Sequence, residues 1–249
     1  MRLFLVVLAT LGVAAGCSRG GSQANPFEGL DTHADLTELR HLAVVNVRGW
    51  YLDFGTPAQS NYTVGDWRSG WVGKGVDGDT RYAHVGMGGR VYFEAERPEA
   101  LVARVRLRPH GTKALTPYLN NQQLASIHLG KGDGFADFDV ELPREKVEAG
   151  ENYLLLTFGG TTPIEGQAVS AAVDSIWIRN ASEPPNATRA PTYDGYVANV
   201  RFGEEERQAI ALSRASTLRY QVMVPADCSL GFGVGVEGEG EAPFTIEVT

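Results

Sequence analysis

Cysteine is almost missing from this chain: its 249 residues hold two, Cys17 and Cys228. A disulfide framework of the kind that staples small secreted domains is therefore excluded, and stability must come from packing. Cys228 sits beside the apolar "LGFGVGV" with no histidine near it in sequence, which suits a small buried hydrophobe better than a catalytic thiol. The five histidines, at 33, 41, 84, 110 and 128, are scattered, and none is spaced as a metal-ligand pair. No H-E-x-x-H, G-x-S-x-G or phosphate-loop pattern occurs, so this chain alone is expected to catalyse nothing. Positive charge is scarce as well. Lys and Arg number 22 against 30 Asp and Glu, a net charge of −8, which argues against nucleic acid as a partner. Glycine is the contrast: 30 residues, where average usage of about 7% would supply roughly 17. That excess suits the many turns of an all-β fold.

The amino terminus carries its own message. Met1-Arg2 is a positive start, residues 3–13 form an uncharged apolar run too short to span a bilayer, and Ala14-Ala15-Gly16 are small enough for a signal peptidase. With Cys17 directly behind that triplet, the segment resembles a bacterial lipoprotein signal. The resemblance implies lipid attachment to the Cys17 sulfur, removal of residues 1–16, and several acyl chains on one residue, enough for stable anchoring. Ser18, in place of Asp, resembles lipoproteins sent on to the outer membrane, so the expected location is the bacterial cell envelope. Residues 17–30 read as a tether.

"DTHADLTELRHLAVV" (31–45) offers one helix, with Asp31 or Thr32 as cap and Leu36, Leu39 and Leu42 on one face. Beyond it, alternation of period two prevails. In "RVYFEAERP", Val91, Phe93 and Ala95 face one way; in "LVARVRLRP", Leu101, Ala103, Val105 and Leu107 point in and Arg104, Arg106 and Arg108 out. "PYLNNQQLASIHL" is strand, Asn-Asn turn, strand. "FADFDVELP" buries Phe138, Val140 and Leu142 and exposes Asp137, Asp139 and Glu141, while "VDSIWIR" buries Ile176 and Ile178 and presents Trp177 on the opposite side. Such strands indicate an all-β fold, a sandwich of two antiparallel sheets over residues 31–180. The arginine and carboxylate rows are expected to pair across neighbouring strands. Residues 181–192, with two adjacent prolines and no periodicity, read as a linker. Residues 193–249 repeat the strand–proline–bend–strand layout of the first region and then stop on the alternating "PFTIEVT". They are expected to be the front of a second β-sandwich, incomplete because its core would lie uncovered; the competing reading is a small completed β-unit packed on the first domain.

The order "DFGTP", "GDWRSGW", "YAHVGMGGRVYFE", "P-x-x-L-x-x-R-V-R", "Y-L-N-N-x-x-L", "F-x-x-F-D-V-E-L-P", "AGENYLLLTF" and "VDSIWI" is similar to the galactose-binding-like jelly roll in front of sulfatase-type hydrolases of lipid-anchored bacterial proteins. The resemblance implies a jelly-roll sandwich that positions a carboxy-terminal catalytic domain and binds polysaccharide. The sulfatase motif itself, C/S-x-P-x-R, is absent, since "DCSLG" lacks the Pro and Arg. Two other readings stand beside it: a stand-alone carbohydrate-binding surface lipoprotein, and a structural module contacting another envelope protein.

The most distinctive stretch is "GDWRSGWVGKGVDGDTRYAH" (65–84), read as a long loop. A sugar site needs an aromatic face for C–H groups and polar partners for hydroxyls. Asp66, Trp67, Arg68, Trp71, Asp77, Asp79 and Arg81 are the candidates. The alternative is that Trp67 and Trp71 pack inward as loop anchors. "DGDT" also resembles a piece of a calcium loop, without the regular oxygen spacing or terminal Glu of an EF-hand. No other cofactor is expected.

Overall fold

The computed structural model describes residues 2–8, 35–63, 70–130, 132–187, 190–202, 205–213, 216–223, 230–237 and 245–247. Its strands are β1 (Arg2–Leu8), β2 (Ala43–Val47), β3 (Trp50–Asp53), β4 (Trp71–Asp77), β5 (Thr80–Val85), β6 (Gly88–Ala95), β7 (Leu101–Pro109), β8 (Ala114–Leu119), β9 (Gln122–Gln123), β10 (Ile127–His128), β11 (Ala136–Leu142), β12 (Gly150–Phe158), β13 (Thr162–Ile164), β14 (Gln167–Val169), β15 (Ala171–Asn180), β16 (Val197–Phe202), β17 (Glu205–Ser213), β18 (Ser216–Tyr220) and β19 (Gly231–Glu237). The protein is all-β and antiparallel, a jelly-roll sandwich with a further four-stranded sheet. The smaller sheet of the sandwich runs β10-β8-β12-β6; the larger runs β11-β7-β15-β3-β2-β18, with the β4–β5 hairpin also attached to β15.

Alternation dictates the packing. β7 reads buried, half-buried, buried along its length, with Leu101, Ala103, Val105 and Leu107 inside. They meet Leu154, Leu156 and Phe158 of β12 and Ile176 and Ile178 of β15 in one core. Each such Leu or Ile contributes about 1.5–3 kcal/mol by leaving water. The Asn120-Asn121 turn has φ of 49° and 66°, the left-handed pair a two-residue hairpin needs. The outward rows pair as their register demands: Arg104 lies opposite Asp139 and Arg106 opposite Asp137. Arg104 grips Asp139 with two bonds, Nε–Oδ1 2.8 Å and Nη2–Oδ2 2.9 Å.

Three expectations meet a different structure. The leading helix shrinks to a 3-10 turn, Glu38–Leu42, because β2 begins at once at Ala43. Asp35 bonds the Thr37 amide and hydroxyl ahead of it, whereas Asp31 and Thr32 lie outside the described residues. The linker is laid down on the sandwich: Arg104 Nη1 donates to Pro185 O and Arg179 Nη1 to Glu183 O. And the region after it does not stand apart, because β18 pairs with β2 and extends the larger sheet. Beneath residues 190–220 lies a second core, built from Val45, Val47, Tyr51 and Trp177 on the sandwich side and Tyr193, Tyr196, Ile210 and Leu212 above.

Tyrosines fasten this cover. Tyr196 OH donates to Arg40 O at 3.1 Å and Tyr220 OH to Leu36 O at 2.7 Å, and burial pushes both phenols up, so they remain donors. Asp53 Oδ2 accepts the Tyr193 amide at 2.6 Å. The remaining sheet runs β16-β17-β1-β19. Among the described residues no helix is long and apolar enough to cross a membrane.

Candidate functional site

Residues 71–85 are a β-hairpin rather than a long loop, turning at Asp77-Gly78-Asp79 where Gly78 has φ of 58°. Two neighbours decide where its side chains go. β5 pairs with β15, placing Ala83 opposite Val173 and Val85 opposite Ala171, all of them buried. Tyr82 and His84 must therefore project from the outer face. Beneath them the "DFGTP" bend presses backbone to backbone: a Cβ on Gly55, whose φ is 74°, would stand 2.6 Å from the Tyr82 amide nitrogen. Only glycine permits that approach. On β4, a Cβ on Gly75 would stand 2.4 Å from Tyr82 Cζ, so the phenol ring lies flat over bare backbone.

Four rings follow one another across this end of the larger sheet. Phe135 and Tyr82 have centroids 5.7 Å apart, Tyr82 and His84 5.2 Å, and His84 and His110 5.9 Å in an edge-to-face arrangement. Arginines from β7 lean over them. The Arg108 guanidinium is 4.8 Å from the Phe135 centroid and 5.4 Å from that of Tyr82, and Arg106 is 5.9 Å from Phe135. Carboxylates hold the arginines in turn: Arg108 Nη1 reaches Asp77 at 2.6 Å, and Arg106 Nε reaches Asp174 at 2.9 Å.

The polar groups here are unevenly satisfied. Burial holds both imidazoles below the ordinary histidine range; Arg108 adds to the effect at each, while Glu165 partly opposes it at His84. Both rings are therefore neutral near pH 7, able to donate at one nitrogen and accept at the other. Buried His110 Nε2, Arg108 Nε and Ser170 Oγ have no hydrogen-bond partner among the described residues. Unmet buried donors and acceptors carry a cost. Ring faces beside fixed Arg–Asp pairs and neutral imidazoles can stack sugar C–H groups and exchange hydrogen bonds with hydroxyls.

Of the seven residues expected to form a sugar site, Asp66, Trp67 and Arg68 lie outside the described residues, as do Cys17 and Cys228. Trp71 packs on Phe54 with centroids 4.3 Å apart and donates its Nε1 to Arg90 O at 3.0 Å, so it serves as a core anchor. Asp77 joins the ring cluster through Arg108. Asp79 is exposed at the hairpin tip. Arg81 turns toward the cover and pairs with Asp194 at 2.9 Å. Among the described residues no three His, Cys, Asp or Glu are grouped to hold a metal ion, and the Asp77 carboxylate of the "DGDT" turn is already bound to Arg108.

The sequence reading missed Tyr82, His84, His110 and Phe135, and it treated Arg106 and Arg108 only as part of an outward row pairing with carboxylates of a neighbouring strand. Period two in "TRYAHV" puts Tyr82 and His84 on the face opposite Ala83 and Val85, which was a readable signal. That they meet Arg108 and His110 depends on β5 and β7 both flanking residues 171–173 of β15, which no local pattern announces. The outer face of the smaller sheet offers less. Tyr92 and Tyr153 sit side by side at 6.1 Å, but the Arg90 guanidinium lies over the Tyr153 ring at 4.5 Å. A hollow between Tyr51, Tyr62, Tyr193 and Tyr196 encloses about 10 Å³, room for one water and no sugar ring.

No protein-family model and no curated protein matches the chain. Among solved structures it is similar to the exo-β-1,3-galactanase of Phanerochaete chrysosporium, at 12% identity and TM-score 0.36, over 53% of this chain and 29% of that one. It is also similar to a family 35 carbohydrate-binding module from an environmental isolate, at 16% identity and TM-score 0.34, over 54% of this chain and 99% of the module. A family 35 module from Clostridium thermocellum aligns at 14% identity and TM-score 0.33, over 45% of this chain and 89% of the module.

Proposed function

We propose that the chain is a non-catalytic carbohydrate-binding β-region, held at the bacterial envelope by a lipid on Cys17 and standing in front of a sulfatase-like hydrolase that it positions on polysaccharide. The observation that carries the binding reading is the Phe135–Tyr82–His84–His110 row. Tyr82 and His84 occupy outward positions of β5 there, with Phe135 and His110 at the ends of the neighbouring strands and with Arg108 Nε and His110 Nε2 beside them, buried and unpartnered among the described residues. A sugar ring set on Tyr82 would meet stacking surface and hydrogen-bonding groups together. The anchor and the sulfatase partner rest on the signal-like amino terminus and on the ordered motifs of residues 53–178.

Affinity electrophoresis of the processed protein through gels containing neutral or sulfated galactans, mannans and xylans tests the binding reading. At least one polymer is expected to retard the protein, and Tyr82→Ala is expected to abolish that retardation with the fold intact. Retardation unchanged in Tyr82→Ala would remove the site from this face, and no retardation by any polymer would favour the envelope-protein module. Reading the gene beyond Thr249 for a C/S-x-P-x-R motif tests the enzyme partner independently.

A further inference from the structure

The charges around the ring row are arranged in one particular way. Ala172 of β15 has His84 as its register partner on one side and Arg108 on the other, so all three point to the same face. Because Ala172 ends in a single methyl, nothing bulky stands between the flanking strands. The Arg108 guanidinium can therefore reach from β7 over the Tyr82 ring to Asp77, at the far end of β4, where Nη1 meets Oδ2 at 2.6 Å. Arg106, two residues back on β7, is held in the same manner by Asp174 at 2.9 Å and Asp137 at 3.7 Å. Each of these two cations thus has a carboxylate already seated on it.

Exposure tips the balance further. The side chains of Asp77 and Asp137 are 58% and 49% exposed, whereas that of Arg108 is 19% exposed. Glu165, also exposed, stands close enough to His84 to act on its charge. The two imidazoles, held below the ordinary histidine range by burial, add no positive charge near pH 7. An arriving ligand therefore meets ring surface edged with carboxylate oxygen, on a chain of net charge −8.

We propose that this face selects neutral sugars and rejects sulfated or carboxylated ones. The proposal rests on the carbohydrate-binding reading above and names the class of ligand for the same face. A sulfate or carboxylate brought to Arg108 would find Asp77 bonded there and would be pressed against like charge. A hydroxyl has no such conflict, since it can donate to the carboxylate and accept from the guanidinium while the pair stays in place. Stacking on Tyr82 and Phe135 needs only C–H faces, which a neutral sugar offers without a charge to strip of water.

Isothermal titration calorimetry with soluble galactan, mannan and xylan, each set beside the same polymer after chemical sulfation, tests the choice. At least one neutral polymer is expected to bind, with an affinity that changes less than about twofold from low to high salt, because no charged contact is there to be screened. Sulfation of that polymer is expected to weaken binding by about tenfold or more through like-charge contact. Asp77→Asn, which releases the Arg108 guanidinium from its partner, is expected to raise affinity for the sulfated form and lower it for the neutral one. Glu145→Gln removes the same charge from an exposed site outside this face and is expected to leave the preference unchanged. If the sulfated polymer binds as tightly as its neutral parent or more tightly, and Tyr82→Ala removes that binding, the charge preference is overturned while the binding face stands. Asp77→Asn acting no differently from Glu145→Gln would overturn the part given to the Arg108–Asp77 pair. If no polymer binds, or binding survives Tyr82→Ala, the carbohydrate reading of this face fails and the proposal fails with it.

Discussion

One face of the larger sheet meets two fates. Over β2, β3 and the carboxy-terminal half of β15 it carries Val45, Val47, Tyr51 and Trp177 and is covered by residues 190–220. Over β5, β7 and the start of β15 it carries Tyr82, His84, Arg106 and Arg108 and remains open. Both halves alternate against the same core, so the inward residues do not tell them apart. The outward residues do. Where they are aliphatic or indole, another layer has to come; where they are ringed hydroxyls, imidazoles and paired charges, solvent or a sugar can take its place. Arg104 marks the border, bound to Asp139 on the open side and to Pro185 O of the descending linker.

Truncating the covered half gives the largest expected effect. Trp177→Ala removes a ring 4% exposed between Tyr51 and the Arg179 guanidinium, and should cost about 3–5 kcal/mol in denaturant unfolding. A loss below about 1 kcal/mol would mean that the cover contributes little. At the border, Arg104→Ala should cost roughly 0.5–1 kcal/mol, since Asp139 is 45% exposed and solvent weakens the pair. In the open half, Gly75→Ala should leave stability within about 1 kcal/mol, because that strand position needs no positive φ. It should nonetheless lift the Tyr82 ring and weaken retardation in the polysaccharide gels several-fold. The smallest effect is pH-dependent. Burial keeps the folded values of His84 and His110 below the ordinary 6.5. The unfolded chain therefore binds more protons in the window just below 6.5, so stability is full above it and declines as pH falls through it. Melting temperatures measured from about pH 7.5 down to about pH 5 should show that slope, and His110→Phe should flatten it.

Much of the fold was legible because strands carry their own evidence. Leu101, Ala103, Val105 and Leu107 alternate with arginines, and the structure buries each one. Opposite charges on "LVARVRLRP" and "FADFDVELP" anticipated the Arg104–Asp139 and Arg106–Asp137 pairing. The helix expected over residues 31–45 was misread across its described part, 35–45, because three leucines at helical spacing also suit a short turn stopped by a strand. The proposed binding face was half legible. Asp77 was singled out and belongs to it; Trp71 was singled out too and anchors the core, the alternative stated from the sequence, because aromatic type does not reveal which side of the hairpin faces Phe54.

By itself the amino-acid sequence determined an all-β protein of antiparallel strands, the inward set of each main strand, and the charge rows that pair across β7 and β11. Those properties are local, since a period of two needs only neighbours along the chain. Tertiary structure alone decided that β5 and β7 flank the same stretch of β15, gathering Tyr82, His84, Arg108 and His110 on one face. It also decided that Trp177 and Tyr51, outward on their own sheet, would be roofed by Ile210 and Leu212. Non-local strand order and the docking of one layer on another join residues far apart in the chain, and no short pattern can encode them.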